Sequence, residues 1–153
     1  MNKSKTIILV IIISILIFIS LGSTSNCNLI RLINQIRAEN NLPTLEHIAF
    51  LDTYAQYRLE HMKSLSHADY ETCYIEFLKS NLKPGYYEYS VGEIIAYDIK
   101  SHSPEEYVNA WLNSPIHKEV ILKDYFTRVG YCIGHKDGQI IIIVIFDYLK
   151  KVR

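Results

Sequence analysis

The spacing of apolar residues changes along the chain and marks two kinds of structural element. In the first half, apolar side chains recur every three or four residues, the period of a helix with one buried face. Polar breaks follow at Asn40-Asn41, with Pro43 beyond them, and again at Pro84-Gly85. The pattern predicts three helices, which cover about Leu29–Arg37, Glu46–Ser64 and Glu71–Ser80.

Two further helix starts follow each other closely. Ser103 precedes a proline, and Glu106 stands three positions after the serine, which is the pattern of a capping box. Ser114 also precedes a proline, so we expect it to cap a second short helix. His117 then falls in the first turn of that helix, where unpaired N–H groups and the helix dipole favour a neutral imidazole. A neutral imidazole can bind a metal or accept a proton.

Two strands are predicted near the C-terminal end. A loosely alternating segment, Arg128–His135, and a β-branched run, Gln139–Tyr148, flank an Asp-Gly pair, which is a hairpin signal. The run is so apolar from Ile140 to Phe146 that both faces must be covered, as in a central strand. Residues 86–91 are predicted to be irregular or weakly extended. These elements predict an α+β fold, an α/β/α sandwich with a small central antiparallel sheet flanked by helices.

The N-terminal segment has the pattern of an export signal. Two lysines precede an apolar run, Ile7–Leu21, which suits a signal core and is short for a membrane span. A short polar stretch leads to Cys27, at the place of a lipid-accepting cysteine. We predict a lipoprotein signal peptide over residues 1–26 and one domain over residues 27–153. The protein is expected to be exported and anchored by lipid to the cell envelope, where it could be exposed on the outer surface. The alternatives are an uncleaved anchor or an ordinary cleaved signal, in which Cys27 has no such role.

Composition excludes one class of partner but does not decide whether the cysteines form a disulfide. The chain has 16 basic and 16 acidic residues, without a basic stripe or a long charge run, so we expect no nucleic-acid partner. Cys73 and Cys132 remain if Cys27 carries lipid. Outside the cytoplasm they could form a disulfide, or they could stay as two partly buried thiols.

Several of these motifs occur in an order that resembles a known family. The Trp111–Leu122 block reads W-x-x-S-P-x-H-x-x-x-I-L, and it is the most specific of them. The other motifs, in chain order, are LINQIRAENNLPTL, Ser66-His67, Gly92-Glu93 and Val129-Gly130. The order resembles the bacterial branch of the CAP superfamily (cysteine-rich secretory proteins, antigen 5, pathogenesis-related 1), also called SCP-like domains. The resemblance covers Asn28 to about Tyr148 and implies the same sandwich fold.

The resemblance also implies a cleft lined by two histidines and two glutamates. Carried over by motif, the histidines are His67 and His117 and the first glutamate is Glu93. Ser114 stands where some members have the second glutamate, and Ile94 replaces the usual asparagine after Gly-Glu. Two imidazoles and a carboxylate could hold zinc with an open position. The other interpretation is a hydrogen-bonded polar cluster that ties loops together.

The incomplete tetrad favours a binding protein over an enzyme. We expect a non-catalytic envelope protein that binds a lipid, a small apolar ligand, or a host or envelope protein through the cleft around these residues. The alternative is a metal-dependent hydrolase of peptide or cell-wall substrates that uses His67, His117 and Glu93. In either case the two imidazoles should lie within about 4–8 Å, with Glu93 beside them.

Four other features bear on the predicted site. The tyrosines of residues 86–97 suit either apolar-ligand contact or plain surface. Trp111 should anchor the core beneath the cleft. Arg58 interrupts the apolar stripe of the second helix, and His102 is expected to be solvated.

Overall fold

The computed structural model describes residues 28–61 and 69–152, and it forms a sheet between two helical layers. In chain order the elements are α1 (residues 28–39), β1 (Glu46–His47), α2 (Ala49–His61), α3 (Tyr70–Asn81), β2 (Tyr86–Asp98), α4 (Pro104–Leu112), α5 (Pro115–Ile121), β3 (Arg128–Lys136) and β4 (Gln139–Val152). This is the α+β sandwich that the sequence predicts.

The sheet has the strand order β1-β3-β4-β2. The long strands β2, β4 and β3 are antiparallel, and the two-residue β1 adds a parallel edge beside β3. The turn from β3 to β4 places Asp137 and Gly138 at φ 52° and 77°, the positive angles that a tight hairpin turn requires. The prediction of a hairpin and of a central β4 is therefore confirmed.

β4 separates two apolar cores because alternate side chains leave a strand on opposite sides. Ile142, Val144 and Phe146 pack against α1, α4 and α5. Ile141, Ile143 and Ile145 pack against α2 and α3. Every residue from 141 to 147 is buried, which explains the continuous apolar run in the sequence.

One predicted boundary is wrong, and one open alternative is decided. Glu46 and His47 do not begin the second helix; they pair with Arg128 and Val129 of β3, and α2 starts at Ala49. For residues 86–91 the extended alternative holds, since they form the first half of the 13-residue strand β2. The helical spacing of apolar residues extends back past Glu46, so the sequence did not reveal β1. The mixture of tyrosines and polar residues in 86–91 gave only a weak strand signal. Residues 86–91 are a strand because they pair with β4, not because of their local conformational preference.

A buried arginine fixes the position of α5. Arg37 at the end of α1 is fully buried and donates to the backbone oxygens of Pro43, Ile121, Lys123 and Phe126, at 2.7–3.3 Å. Its burial lowers the pKa of its guanidinium. The chain that leaves α5 is held by these bonds, so the residues of α5 keep a fixed distance from the sheet.

The two cysteines of the described part are not bridged. Cys73 is half-buried and Cys132 is buried, and both are free thiols. Burial raises the pKa of Cys132 to about 12, so this thiol stays protonated at neutral pH. No helix within residues 28–61 and 69–152 has the length and apolar content needed to cross a bilayer.

Candidate functional site

α4 starts with the capping box that the sequence predicts. The backbone N–H of Glu106 donates to the Ser103 hydroxyl, and the Glu106 carboxylate accepts from the backbone N–H of Ser103 at 2.7 Å. The backbone bond from Ser103 is the main reason that the pKa of Glu106 lies below its usual range. At the other end of α4, the buried Trp111 donates its indole N–H to the backbone oxygen of Ile95 at 3.4 Å. α4 is thereby fixed along the free edge of β2.

The first turn of α5 holds His117 through a side-chain bond. Ser114 stands at the N-cap position, but its side chain makes no cap hydrogen bond. Its hydroxyl is instead hydrogen-bonded to Nδ1 of His117 at 2.9 Å. The prediction that Ser114 caps the helix through its side chain is therefore wrong, because the hydroxyl is used by the ring three residues later. The result is an imidazole with a fixed orientation.

His117 and Ser114 stand in the wall of an open groove between β2 and α4, which we call the β2–α4 groove. It has a volume of about 540 Å³, within the range of ligand sites in proteins. Its apolar and aromatic lining residues are Ile95, Ala96, Tyr97, Tyr107, Ala110 and Trp111. Its polar lining residues are Asp98, His102, Glu106, Ser114 and His117. Trp111 borders the groove from the core, as expected.

Glu93 is held by an arginine on the other side of β2. Gly92 faces the α4–α5 side of β2 and has no room for a side chain, because a Cβ there would lie 2.8 Å from the ring of Phe126. Glu93, the next residue along the strand, points instead towards α2, where Arg58 Nε donates to its carboxylate at 2.9 Å. Arg58 Nη2 reaches the other oxygen at 3.4 Å. Both side chains are buried, so this is an interior ion pair.

The described residues of the predicted tetrad thus lie in two separate places. Ser114 and His117 are in contact in the β2–α4 groove, and Glu93 is bound to Arg58. His67 and Cys27 lie outside the described residues. A common site of His67, Glu93 and His117 therefore stays a prediction, as does lipidation of Cys27.

The described residues do not by themselves fit a zinc ion. Within residues 28–61 and 69–152, no three His, Cys, Asp or Glu side chains are grouped as metal ligands. Ser114 occupies one ring nitrogen of His117, and Arg58 engages both oxygens of Glu93. We therefore derive no chemical step through a metal.

Three titratable side chains of the groove lining contact one another, a cluster that the sequence analysis missed. His102 Nε2 lies 3.0 Å from Asp98 Oδ2, and its Nδ1 lies 3.6 Å from Glu106 Oε2. The backbone N–H of Lys100 is the largest cause of the lowered pKa of Asp98, and the His102 hydrogen bond adds to it. The sequence did contain a signal, since Asp98, His102 and Glu106 are each four residues apart. His102 is exposed, as expected, and it also contacts two carboxylates. The carboxylate partner of Arg58 has no signal in the spacing of α2, where this arginine only interrupts an apolar stripe.

The family match confirms the class of the protein. The model of the cysteine-rich secretory protein family, CAP, matches residues 30–148. The chain therefore belongs to the CAP family. No curated protein matches the chain.

Solved structures show the same fold. An outer surface protein from Borrelia burgdorferi is 24% identical, with a TM-score of 0.66, covering 84% of this chain and 95% of that one. A cysteine-rich secretory protein from Staphylococcus aureus is 18% identical, with a TM-score of 0.63, covering 80% of this chain and 38% of that one. An extracellular protein containing an SCP domain from Bacillus anthracis is 25% identical, with a TM-score of 0.58, covering 80% of this chain and 40% of that one. This chain thus spans about two fifths of the latter two proteins.

Proposed function

We propose that this CAP-domain protein is exported, tethered to the cell envelope through lipid on Cys27, and binds a small apolar ligand in the β2–α4 groove without transforming it. The observation that carries the ligand proposal is the groove itself, which is lined by six apolar or aromatic residues and five polar ones. Apolar walls with a few oriented polar groups are typical of small-molecule sites. Such a site suits a lipid-like molecule that carries one polar end.

The orientation of His117 supports binding at the polar end. The ring is held by Ser114, so little side-chain entropy is lost when it bonds to a ligand. The phenol of Tyr107 and the indole of Trp111 add large, rigid apolar surfaces to the same groove.

The state of Glu93 supports a non-catalytic role. A general base must reach the proton that it removes, whereas this carboxylate is buried on the α2 side of β2 and engaged by Arg58. The groove lies on the α4–α5 side. In the competing hydrolase, Glu93 would have to leave Arg58 to act, which would leave a buried guanidinium without its carboxylate.

The proposed location has separate support. The N-terminal sequence has the export pattern, and two of the structural relatives are named as an outer surface and an extracellular protein. Labelling with an alkyne analogue of palmitate tests the tether. We expect label on the wild-type chain and none on Cys27→Ala, and equal labelling would rule the tether out.

Trp111 provides the test of the groove, since it is the single tryptophan of the chain. Binding in the groove should change its emission when apolar ligands, such as long-chain alcohols and sterols, are titrated in. Ala110→Phe, which fills the groove, should abolish the change. Gln56→Phe, on the exposed face of α2, is the matched control and should behave as wild type.

Two results would redirect the proposal. An unchanged Trp111 signal, together with capture of an envelope or host protein that Ala110→Phe prevents, would favour a protein partner in the same groove. Stoichiometric zinc that is lost in His117→Ala, with turnover that chelators abolish, would establish the hydrolase.

A further inference from the structure

The first half of β2 forms an outer edge of the sheet. β2 is the last strand in the order β1-β3-β4-β2, so only one of its sides is bonded to another strand of the described sheet. Its register with β4 is one-to-one along its whole length, without a bulge of the kind that turns an edge away from partners. Residues 86–91 therefore offer a continuous edge, which we call the β2 edge.

Two hydrogen bonds show which backbone groups of β2 face outwards. The Asp147 oxygen of β4 accepts from the Thr127 N–H, so the odd-numbered residues of β4 are bonded to β3 and the even-numbered ones to β2. Even-numbered residues of β4 pair with even-numbered residues of β2, which leaves the odd-numbered residues of β2 with outward N–H and C=O groups. The Ile95 oxygen is indeed taken by the Trp111 indole and not by β4.

Three residues of the β2 edge carry such outward groups, namely Tyr87, Tyr89 and Val91. Within residues 28–61 and 69–152, no hydrogen bond joins these groups to the backbone of another element. Each residue offers one donor and one acceptor. An extended peptide could bond to all three residues, as in the recognition mode called β-augmentation.

A groove lies beside this edge, between the end of α3 and the start of β2. Its volume is about 450 Å³. Tyr87 and Tyr89 line it, and the phenol of Tyr87 donates to the Lys83 backbone oxygen at 2.9 Å. The other apolar lining residues are Ile75, Leu78, Leu82 and Pro84. Because paired residues of neighbouring strands leave a sheet on the same side, alternate side chains of an added strand would enter this groove.

The groove is positively charged. Lys79 and Lys83 line it, and none of its described lining residues is acidic. Lys151 is the pairing partner of Tyr87, and its Cε atom lies 3.2 Å from the position of a Cβ on Gly85, another lining residue. None of these lysines forms an ion pair within residues 28–61 and 69–152. The charge of the groove favours an acidic partner and opposes a basic one.

We propose that the β2 edge binds an acidic, extended segment of another protein, which adds to the sheet as a further strand. Backbone hydrogen bonds along the edge would supply affinity, apolar side chains would enter the groove, and carboxylates would approach the lysines. The partner is a polypeptide because only an extended backbone presents donors and acceptors with the spacing of the edge. This surface is separate from the β2–α4 groove, which involves residues 95–98 of the same strand.

The test uses the full chain extracted from bacterial envelopes and a fluorescent peptide of about eight residues, within the usual length of a strand. In the peptide, threonine alternates with valine or glutamate, so the valines and glutamates share one side of the strand. We expect binding by fluorescence anisotropy, and slower amide exchange at Tyr87, Tyr89 and Val91 in NMR spectra. Exchange at Glu88 and Ser90, whose N–H groups face β4, should change little.

Peptide variants distinguish strand addition from simple charge attraction. N-methylation of the valines and glutamates blocks one edge of the peptide, and N-methylation of the threonines blocks the other. Only one edge can face β2 while the valines and glutamates enter the groove, so one methylated peptide should lose binding and the other should keep it. Lysine in place of glutamate should weaken binding about tenfold or more. Equal binding by the two methylated peptides, or by the lysine peptide, would overturn the proposal.

Matched variants of the chain test the lysines. Lys83→Gln/Lys151→Gln removes two charges beside the groove and should weaken binding about fivefold, since each exposed charge contributes modestly. Lys118→Gln/Lys150→Gln removes two charges from α5 and from the other face of β4, and it should bind as the wild type does. Equal loss in both variants, no loss in the first, or no binding by the wild type would contradict an acidic partner.

Amide exchange without peptide identifies other occupants of the edge. Slow exchange at Tyr87, Tyr89 and Val91 in a dilute chain would show that the β2 edge is already paired within the molecule. Slow exchange that appears only as the chain is concentrated would show pairing with a second copy. Either result would overturn the proposal of a separate acidic partner.

Discussion

Arg58 and Glu93 show how the interior of this protein constrains its function. Both side chains are buried, and they form an ion pair between α2 and β2. Removing one member of such a pair leaves the other charge in a medium of low dielectric constant, which costs more than the pair itself contributes. A carboxylate in this position stabilises the contact between helix and strand.

Replacement of Arg58 therefore tests the structural role directly. We expect Arg58→Met to lower the free energy of unfolding by about 3–5 kcal/mol, because the Glu93 carboxylate loses its guanidinium. Glu93→Gln should cost less, since the amide oxygen still accepts from Arg58. Urea unfolding followed by circular dichroism gives both values. Arg31→Met, on the exposed face of α1, is the control and should change stability by about 0.5 kcal/mol or less.

At the scale of elements, the start of α4 combines a helix cap with residues that line the β2–α4 groove. The carboxyl pKa of Glu106 is lowered chiefly by the Ser103 backbone bond, and that of Asp98 by the Lys100 backbone bond. A carboxyl with a lowered pKa in the folded state stabilises that state above its unfolded pKa, and this stabilisation is lost as pH falls through the lower, folded value. Acid should therefore loosen this end of α4 first.

Amide hydrogen exchange at residues 103–107 measures this effect. Protection in the wild type should fall once the pH drops below the ordinary carboxyl range of about 4. In Glu106→Gln, which keeps an acceptor for the Ser103 N–H but does not titrate, the protection should depend less on pH. A wild type and variant with the same pH profile would show that another group controls this region.

The approach of α2 to β3 is a second feature at this scale. A Cβ on Gly130 would lie 2.4 Å from Leu51 Cβ and 2.5 Å from the backbone nitrogen of Asp52. Asp52 also accepts from the backbone N–H of Tyr131 at 2.8 Å, so the helix cannot move away without losing this bond. The Gly at this position therefore permits the contact between the two elements.

Thermal unfolding of Gly130→Ala should show a loss of about 3 kcal/mol or more, because backbone atoms would have to separate. Gly85→Ala is the control, since its Cβ would come closest to the flexible end of Lys151, at 3.2 Å. We expect a change there of about 0.5 kcal/mol or less. Similar losses at the two glycines would contradict the tight approach of α2.

At the scale of the whole molecule, periodic patterns predicted the fold well. The helices, the β3–β4 hairpin and the central position of β4 follow from local spacing and from one apolar run. β1 and the first half of β2 did not, because they become strands only by pairing with β3 and β4, which lie far along the chain. Long-range pairing leaves little local signal.

The candidate site divides in the same way. The motif around His117 predicted a placed imidazole, and Ser114 indeed holds it, although by a bond to the ring instead of a helix cap. The partner of Glu93 depends on the packing of α2 against the sheet. This contact does not follow from spacing within one element, so it could not be seen in the sequence.

Native mass spectrometry of the protein extracted from envelopes tests the central claim most directly. The account predicts that the wild-type chain carries a non-covalent apolar ligand, that Ala110→Phe loses it, and that Gln56→Phe keeps it. A ligand retained equally by all three chains would contradict the β2–α4 groove as the binding site. A wild-type chain that carries stoichiometric zinc and no organic ligand would contradict the binding function itself.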